Sequence, residues 1–247
     1  MTLAHDVTGD GPAVLLLHST VCDRRMWDPQ VPVLAAAGFR VIRCDLPGYG
    51  ESAVPPEPYD EAALVADLLP ENGAAVVGAS GGGKVALELA TRRPERVTAL
   101  ALLCTAMAGH EPSDALREFG DREDALLEAG DVAGATDLNV DLWVGPEADQ
   151  ATRAKVREMQ HHAFEVQLAA PADTGPIRAE PDYARITAPT LLFSGAHDLP
   201  DFRDIAAHLA TLLPRARHTE LDWAGHLPNL ERPDLLNPLL IGFLTSD

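Results

Sequence analysis

The sequence predicts an α/β fold: a mostly parallel, doubly wound sheet with a helical lid inserted after its sixth strand. Three observations lead there. Six β-like runs, Ala13 to His18, Phe39 to Cys44, Ala74 to Ala79, Val97 to Cys104, Thr190 to Ser194 and Arg217 to Leu221, alternate with segments of helical length, the pattern of a parallel sheet covered by helices on both faces. The alternation breaks down between Cys104 and Thr190, where helical stretches follow one another. A serine inside G-x-S-x-G stands where the third run turns into a helix, a junction that projects a side chain above such a sheet.

Taken in chain order, Leu3 to Val7 reads as an antiparallel edge strand ahead of the first run. The helices expected between the strands are roughly Arg24 to Ala37, Asp60 to Leu69, Gly82 to Arg93, Asp201 to Leu213 and Pro233 to Leu244. The lid comprises Pro112 to Ala129, Ala135 to Val144 and Asp149 to Leu168, closed by a proline-rich exit at Pro171, Pro176 and Pro181. This divides the chain into a core of residues 1–107 and 186–247 and a lid of residues 108–185. A chain of 247 residues without repeats or low-complexity tails fits one such unit.

Chemistry concentrates at Gly78, Ser80 and Gly82. A serine on so sharp a turn is forced into strained backbone geometry, with its hydroxyl exposed and helix N-terminal N–H groups beside it; side chains at the flanking glycines would collide with the neighbouring strand or helix. The plain alternative is an N-cap serine. The same letters also read G-x-x-x-x-G-K from Gly78 to Lys84, but a phosphate-cradling loop needs Ser or Thr next and the chain has Val85.

Ligand sites in open parallel sheets form at the carboxyl ends of strands. Ser80, Asp198 and His226 each follow a β-run. Their order, Ser then Asp then His, differs from the orders of two other serine protease folds. Alone, Asp198 could be a helix cap and His226 structural; together they make a nucleophile, its general base and the carboxylate that orients the base.

Beyond these positions the chain resembles the α/β-hydrolase fold superfamily over nearly its whole length apart from the lid. Asp45-Leu46-Pro47-Gly48-Tyr49-Gly50-Glu51-Ser52 is similar to its D-x-P-G-x-G-x-S turn, Val14 to His18 to its oxyanion strand, and Ala224-Gly225-His226-Leu227-Pro228 with Glu231-Arg232-Pro233 to its histidine loop. Met26-Trp27-Asp28-Pro29-Gln30 and Trp143-Val144-Gly145-Pro146 resemble small bacterial serine hydrolases around 3-oxoadipate enol-lactonase. The resemblance implies an oxyanion hole from the backbone N–H groups of Thr20 and Gly81, and a His18 that orients the oxyanion loop. Where the family has His-Gly, this chain has His18-Ser19-Thr20, and Ser19 forbids the freest glycine conformations.

The implied activity is hydrolysis of a small ester or lactone through an acyl-Ser80 intermediate, with thioester or carbon–carbon (1,3-diketone) cleavage as the alternatives using the same triad, and a ligand receptor retaining the triad as the alternative of another class. Halide removal and epoxide opening on this fold use a carboxylate nucleophile, which Ser80 is not. Trp143, Met159, His162 and Phe164 are the lid's candidates for the pocket wall, and Arg24 or Arg25 a candidate partner for an anionic substrate.

The formal charge of −19 disfavours nucleic acid and anionic membranes as partners. Residues 110–183 carry 17 acidic against 6 basic side chains; solvated helix faces explain them, and they speak against strongly anionic substrates. Cys22, Cys44 and Cys104 are odd in number, with no C-x-x-C, which argues against a disulfide framework and a zinc site; Cys44 and Cys104 read as inert core thiols. No metal or cofactor is expected. The first residues lack a signal-peptide pattern and no apolar run reaches membrane-spanning length, so a cytoplasmic protein acting on a small molecule is expected.

Overall fold

The computed structural model describes residues 1–171, 174–177 and 181–246. Its strands are β1 (His5–Thr8), β2 (Ala13–Leu17), β3 (Arg40–Cys44), β4 (Ala74–Ala79), β5 (Val97–Leu103), β6 (Thr190–Gly195) and β7 (Ala216–Leu221). They form one sheet in the order β1-β3-β2-β4-β5-β6-β7. β1 is antiparallel to β3 and the other pairings are parallel. The edge strand read as Leu3 to Val7 is therefore real, beginning two residues later and ending one later.

Both faces of the sheet are buried, and alternate side chains choose the face. Leu15, Leu17, Val76, Leu100 and Leu102 join one apolar cluster, whereas Val14, Leu16, Val77, Ala101 and Leu103 join the other. The first is covered by α2 (Glu61–Ala66), α3 (Gly81–Arg92) and α7 (Pro200–Leu212), through Val65, Leu87 and Leu209 among others. The second is covered by α1 (Val31–Ala36) and α9 (Pro233–Leu244), through Leu34, Leu236 and Leu240. A short α8 (Pro228–Glu231) precedes α9. None of the described helices is long and apolar enough to cross a membrane.

The helix expected over Arg24 to Ala37 is broken. Asp23 caps a single 3-10 turn, Arg24–Trp27, by accepting the Arg25 N–H, and α1 begins only at Val31 with Pro32 in its first turn, where a proline's missing donor costs nothing. The inserted helices α4 (Asp114–Glu128), α5 (Val132–Trp143) and α6 (Gln150–Leu168) follow β5 rather than a sixth strand, because four strands precede β5 in this chain. Ser113, Asp131 and Asp149 cap them, each accepting a backbone N–H three residues on, as good N-caps do. The exit of this segment runs through residues 172–173 and 178–180, which lie outside the described residues.

Candidate active site

The serine sits at the sharpest point of the chain. Ser80 separates β4 from α3 with φ +49° and ψ −118°, a conformation that L-residues adopt only where the surroundings enforce it. Four backbone bonds do so: its N–H donates to Leu103 O, and its carbonyl accepts from Gly83, Lys84 and Ala106 at 3.0 to 3.2 Å. Since the Gly83 and Lys84 amides are spent on Ser80, the turn is no phosphate cradle. The motif glycines answer to close packing. A Cβ at Gly78 would stand 2.7 Å from the Gly82 oxygen, and one at Gly82 would collide with the carbonyl oxygens of Leu17 and His18.

His226 follows β7 and Asp198 follows β6, with both side chains 2% exposed. The imidazole Nδ1–H donates to Asp198 Oδ2 at 2.8 Å, and Asp198 Oδ1 accepts the Leu199 N–H at 2.7 Å. That pairing leaves Nε2 for the nucleophile's side of the ring. Ser80 and His226 line one cavity of about 290 Å³, together with Thr20 and Gly81. Thr20 lies directly against Gly81, its backbone nitrogen 3.9 Å from where a Gly81 Cβ would stand. Among the described residues the non-glycine positive φ values belong to Ser80 and Cys104, so Ser19 follows a path open to any L-residue.

His18 ties the loop at Ser19 to the turn at Leu46. Its Nε2 accepts the Leu46 N–H at 2.9 Å and its Nδ1–H donates to Ser19 O at 2.8 Å. Full burial lowers its pKa, against the raising pull of the Ser19 carbonyl, Asp45 and Asp23, so the ring stays neutral and fixed in this tautomer.

Three further groups stand around Ser80, Asp198 and His226. Phe202, on the first turn of α7, meets the His226 ring edge-on with centroids 4.3 Å apart; Trp143, a pocket candidate, lies 4.6 Å away on the other helix layer. The indole and phenyl rings shield the imidazole from water. Glu231, 5% exposed, accepts the N–H groups of Gly225 and Leu227 on either side of His226 at 3.0 to 3.1 Å. Burial raises its pKa, partly offset by those two N–H bonds. Its signal was present in the histidine loop, but only the fold explains why a carboxylate belongs there.

Cys104 is the third. The thiol read as an inert strand end lies with Asp198 and His226 so that one ligand atom of each falls within 4.8 Å of the others. Its φ is +44°, and its Sγ–H donates to Gly225 O at 3.5 Å. Burial first, then the Asp198 charge, raises its pKa well above the usual thiol range. It therefore keeps its proton, whereas a metal ligand must lose it, and His226 Nδ1 is already taken by Asp198.

Of the pocket candidates, Trp143 and Phe164 line the cavity and three others do not. Met159 is 1% exposed and packs in the apolar cluster beneath the sheet's inserted helices. His162 donates to Gly50 O at 3.0 Å and borders a separate cleft of about 790 Å³. Arg24 borders that cleft too; its guanidinium is spent on Asp6, Asp45 and Glu51, and Arg25 is paired with Asp23 and Glu158. The arginines anchor a loop instead of facing Ser80.

Comparison with known proteins agrees with this fold. A family model described as "Alpha/beta hydrolase family" matches residues 14–239. The chain is 32% identical over 253 residues to the pimeloyl-[acyl-carrier protein] methyl ester esterase of Aromatoleum aromaticum, covering 90% of this chain and 94% of that one. It is 26% identical over 290 residues to bifunctional epoxide hydrolase 2 of Sus scrofa, covering 97% of this chain but 52% of that protein, so it spans about half the length of that relative. Among solved structures, the enol-lactonase from Burkholderia xenovorans LB400 superposes with a TM-score of 0.81 at 27% identity, covering 99% of this chain and 96% of that one.

Proposed function

The chain belongs to the alpha/beta hydrolase family, and from that membership we propose that it is a serine hydrolase of small, neutral carboxylic esters and lactones, working through an acyl-Ser80 intermediate. One observation carries the reading: a serine in enforced strain shares a cavity with an imidazole whose other nitrogen is bonded at 2.8 Å to a buried carboxylate. The similarity to an esterase and to an enol-lactonase supports carboxylic ester bonds as the target.

In this proposal His226 Nε2 takes the Ser80 proton as Oγ adds to the carbonyl carbon, and Asp198 stabilises the imidazolium that results. The Gly81 and Thr20 N–H groups take up the oxyanion, each worth on the order of 3 kcal/mol in comparable sites. The tetrahedral species collapses, His226 gives its proton to the leaving alkoxide, and the acyl group stays on Ser80. His226 then removes a proton from water as it attacks the acyl carbon, and returns it to Ser80 as the acid departs. Residues 108–185 act as the lid over a core of residues 1–107 and 186–247, and the acidity of that lid, with Arg24 committed elsewhere, favours substrates without negative charge. Epoxide opening by a carboxylate nucleophile is disfavoured by the hydroxyl at position 80.

The test is fluorophosphonate labelling with p-nitrophenyl acetate turnover. Wild type is expected to label at position 80 and to turn over steadily, and Ser80→Ala to do neither. Turnover retained in Ser80→Ala, or a single burst without turnover in wild type, would refute the proposal.

A further inference from the structure

The cavity that holds Ser80 has a second chemical character, contributed by the inserted helices. Gln160 on α6 is 4% exposed and lines this cavity, yet its Oε1 is buried without a hydrogen-bond partner among the described residues. A buried acceptor left unmade costs free energy that a native fold does not normally concede without return. Glu123 on α4 reaches the same cavity. Asn139 on α5 holds one of its oxygens through Nδ2–H.

Asn139 has nothing left to give. Its second amide hydrogen goes to Ala135 O at 2.9 Å and its oxygen accepts Trp143 Nε1–H at 3.1 Å. It is a bracket that fixes the carboxylate and the indole beside His226 together. Trp143, Phe119, Phe164 and Phe202 supply the aromatic part of an apolar wall that Val21, Ala106 and Leu116 complete, an environment in which a polar contact discriminates strongly. Thr20, Tyr49, Lys84 and Gln167 bring donors to other parts of this lining; the unsatisfied atom is an acceptor, the amide oxygen of Gln160, and the carboxylate of Glu123 is a second acceptor in the same cavity.

We propose that Gln160, seconded by Glu123, is a specificity site for a hydrogen-bond donor carried by the substrate, a hydroxyl or an amide N–H on the acyl or alcohol chain of the ester cleaved at Ser80. The inference rests on the hydrolase reading and narrows it to hydroxylated or amide-bearing esters and lactones. An ester lacking the donor leaves Gln160 Oε1 buried and unpaired in the complex, and this is the source of discrimination.

The experiment pairs substrates that differ only in the donor: ethyl esters of ω-hydroxy acids of three to six carbons against their methyl-terminated isosteres, and ω-hydroxyalkyl acetates against alkyl acetates, followed by acid release. Wild type is expected to favour the hydroxyl member of at least one pair by about tenfold or more in kcat/KM, the scale of one well-made hydrogen bond. In Gln160→Met, which keeps the length and removes the acceptor, that ratio is expected to fall toward unity. A purely structural Gln160 would lower both members equally and leave the ratio intact, which overturns the inference. So do ratios within about twofold for every pair in wild type, a result that needs no variant. If wild type cleaves no ester and Ser80 takes no fluorophosphonate, the hydrolase reading falls and this inference with it; cleavage without preference refutes the inference alone.

Discussion

Glu231 gives the sharpest test of how this site is held together. Replacing it by alanine strips the acceptor from two amides, Gly225 N–H and Leu227 N–H, which flank His226 in a loop the solvent does not reach. Each orphaned buried donor costs about 1–3 kcal/mol, and the lost methylene adds about 0.8 kcal/mol. Relief from burying a carboxylate offsets part of this, because burial outweighs the two N–H bonds and raises the Glu231 pKa above its ordinary 4.5. The net expectation is a loss of about 2–4 kcal/mol, or roughly 4–15 °C in Tm for a chain of this size.

Glu231→Gln is the control. Its remaining oxygen can still accept both amides, as Oε1 does now at 3.1 Å, so its loss should be about 1 kcal/mol. The raised folded pKa means that native protein binds this proton more tightly than the unfolded chain. That contribution is complete below the ordinary value of 4.5 and is lost as pH climbs through the folded value. The gap between wild type and Glu231→Gln is therefore expected to be widest near that ordinary value and to narrow toward neutrality. Urea unfolding of the three proteins over this range reads both quantities. A cost below about 1 kcal/mol for Glu231→Ala, or a gap that widens as pH rises, would refute the account.

Two further outcomes follow from the same packing. Gly82→Ala places a methyl against the carbonyl oxygens of Leu17 and His18, backbone atoms that cannot yield, so it should cost about 3 kcal/mol or more; a wild-type Tm would contradict this. Arg24→Ala removes a cation from the fully buried Asp45, which keeps bonds from the Arg24 and Glu51 backbone N–H groups, and should cost about 1–3 kcal/mol. Its preference between neutral and acidic esters should match wild type in kcat/KM comparisons, and an altered preference would return Arg24 to the substrate pocket.

The strands, and the placement of Ser80, Asp198 and His226 at strand ends, were legible because both depend on short-range letters: apolar runs set the sheet, and each of these residues follows a run within a few positions. The pocket wall was not, because it depends on which face of an inserted helix looks inward. On α6 the cavity takes Gln160, Phe164 and Gln167, spaced by four and three as one helical stripe. The outer cleft takes Ala154, Arg157, Glu158, His161, His162 and Glu165, a broader face turned away from the first. Of Met159, His162 and Phe164, Phe164 lies on the inner stripe, because position around the helix, and not side-chain type, decides which residue faces the cavity. Arg24 misled for a related reason. Adjacency to the oxyanion loop in sequence says nothing of a guanidinium already saturated by Asp6, Asp45 and Glu51.

The insertion is fastened to the core at both triad loops, and this bears on how pocket and catalyst stay in register. Asp201, three residues beyond Asp198, accepts Ser113 N–H at 2.7 Å and Ser113 Oγ–H at 2.6 Å at the head of α4, with His110 Nε2 at 2.9 Å. Burial acts to raise the Asp201 pKa, but these bonds outweigh it and hold the carboxyl below its ordinary value. At the other end Gly145, just past α5, packs so tightly on Glu231 that a Cβ there would overlap the carboxylate. The aspartate loop thus holds the start of α4, which carries Glu123, and the histidine loop holds the end of α5, which carries Asn139 and Trp143. A displacement of either triad loop is transmitted to the wall that would read the substrate, because packed interiors shift as units. In the proposed enzyme these hydrogen bonds and this packing contact couple the substrate wall to the proton-transfer residues, so a substitution at Asp201 or Glu231 is expected to move both.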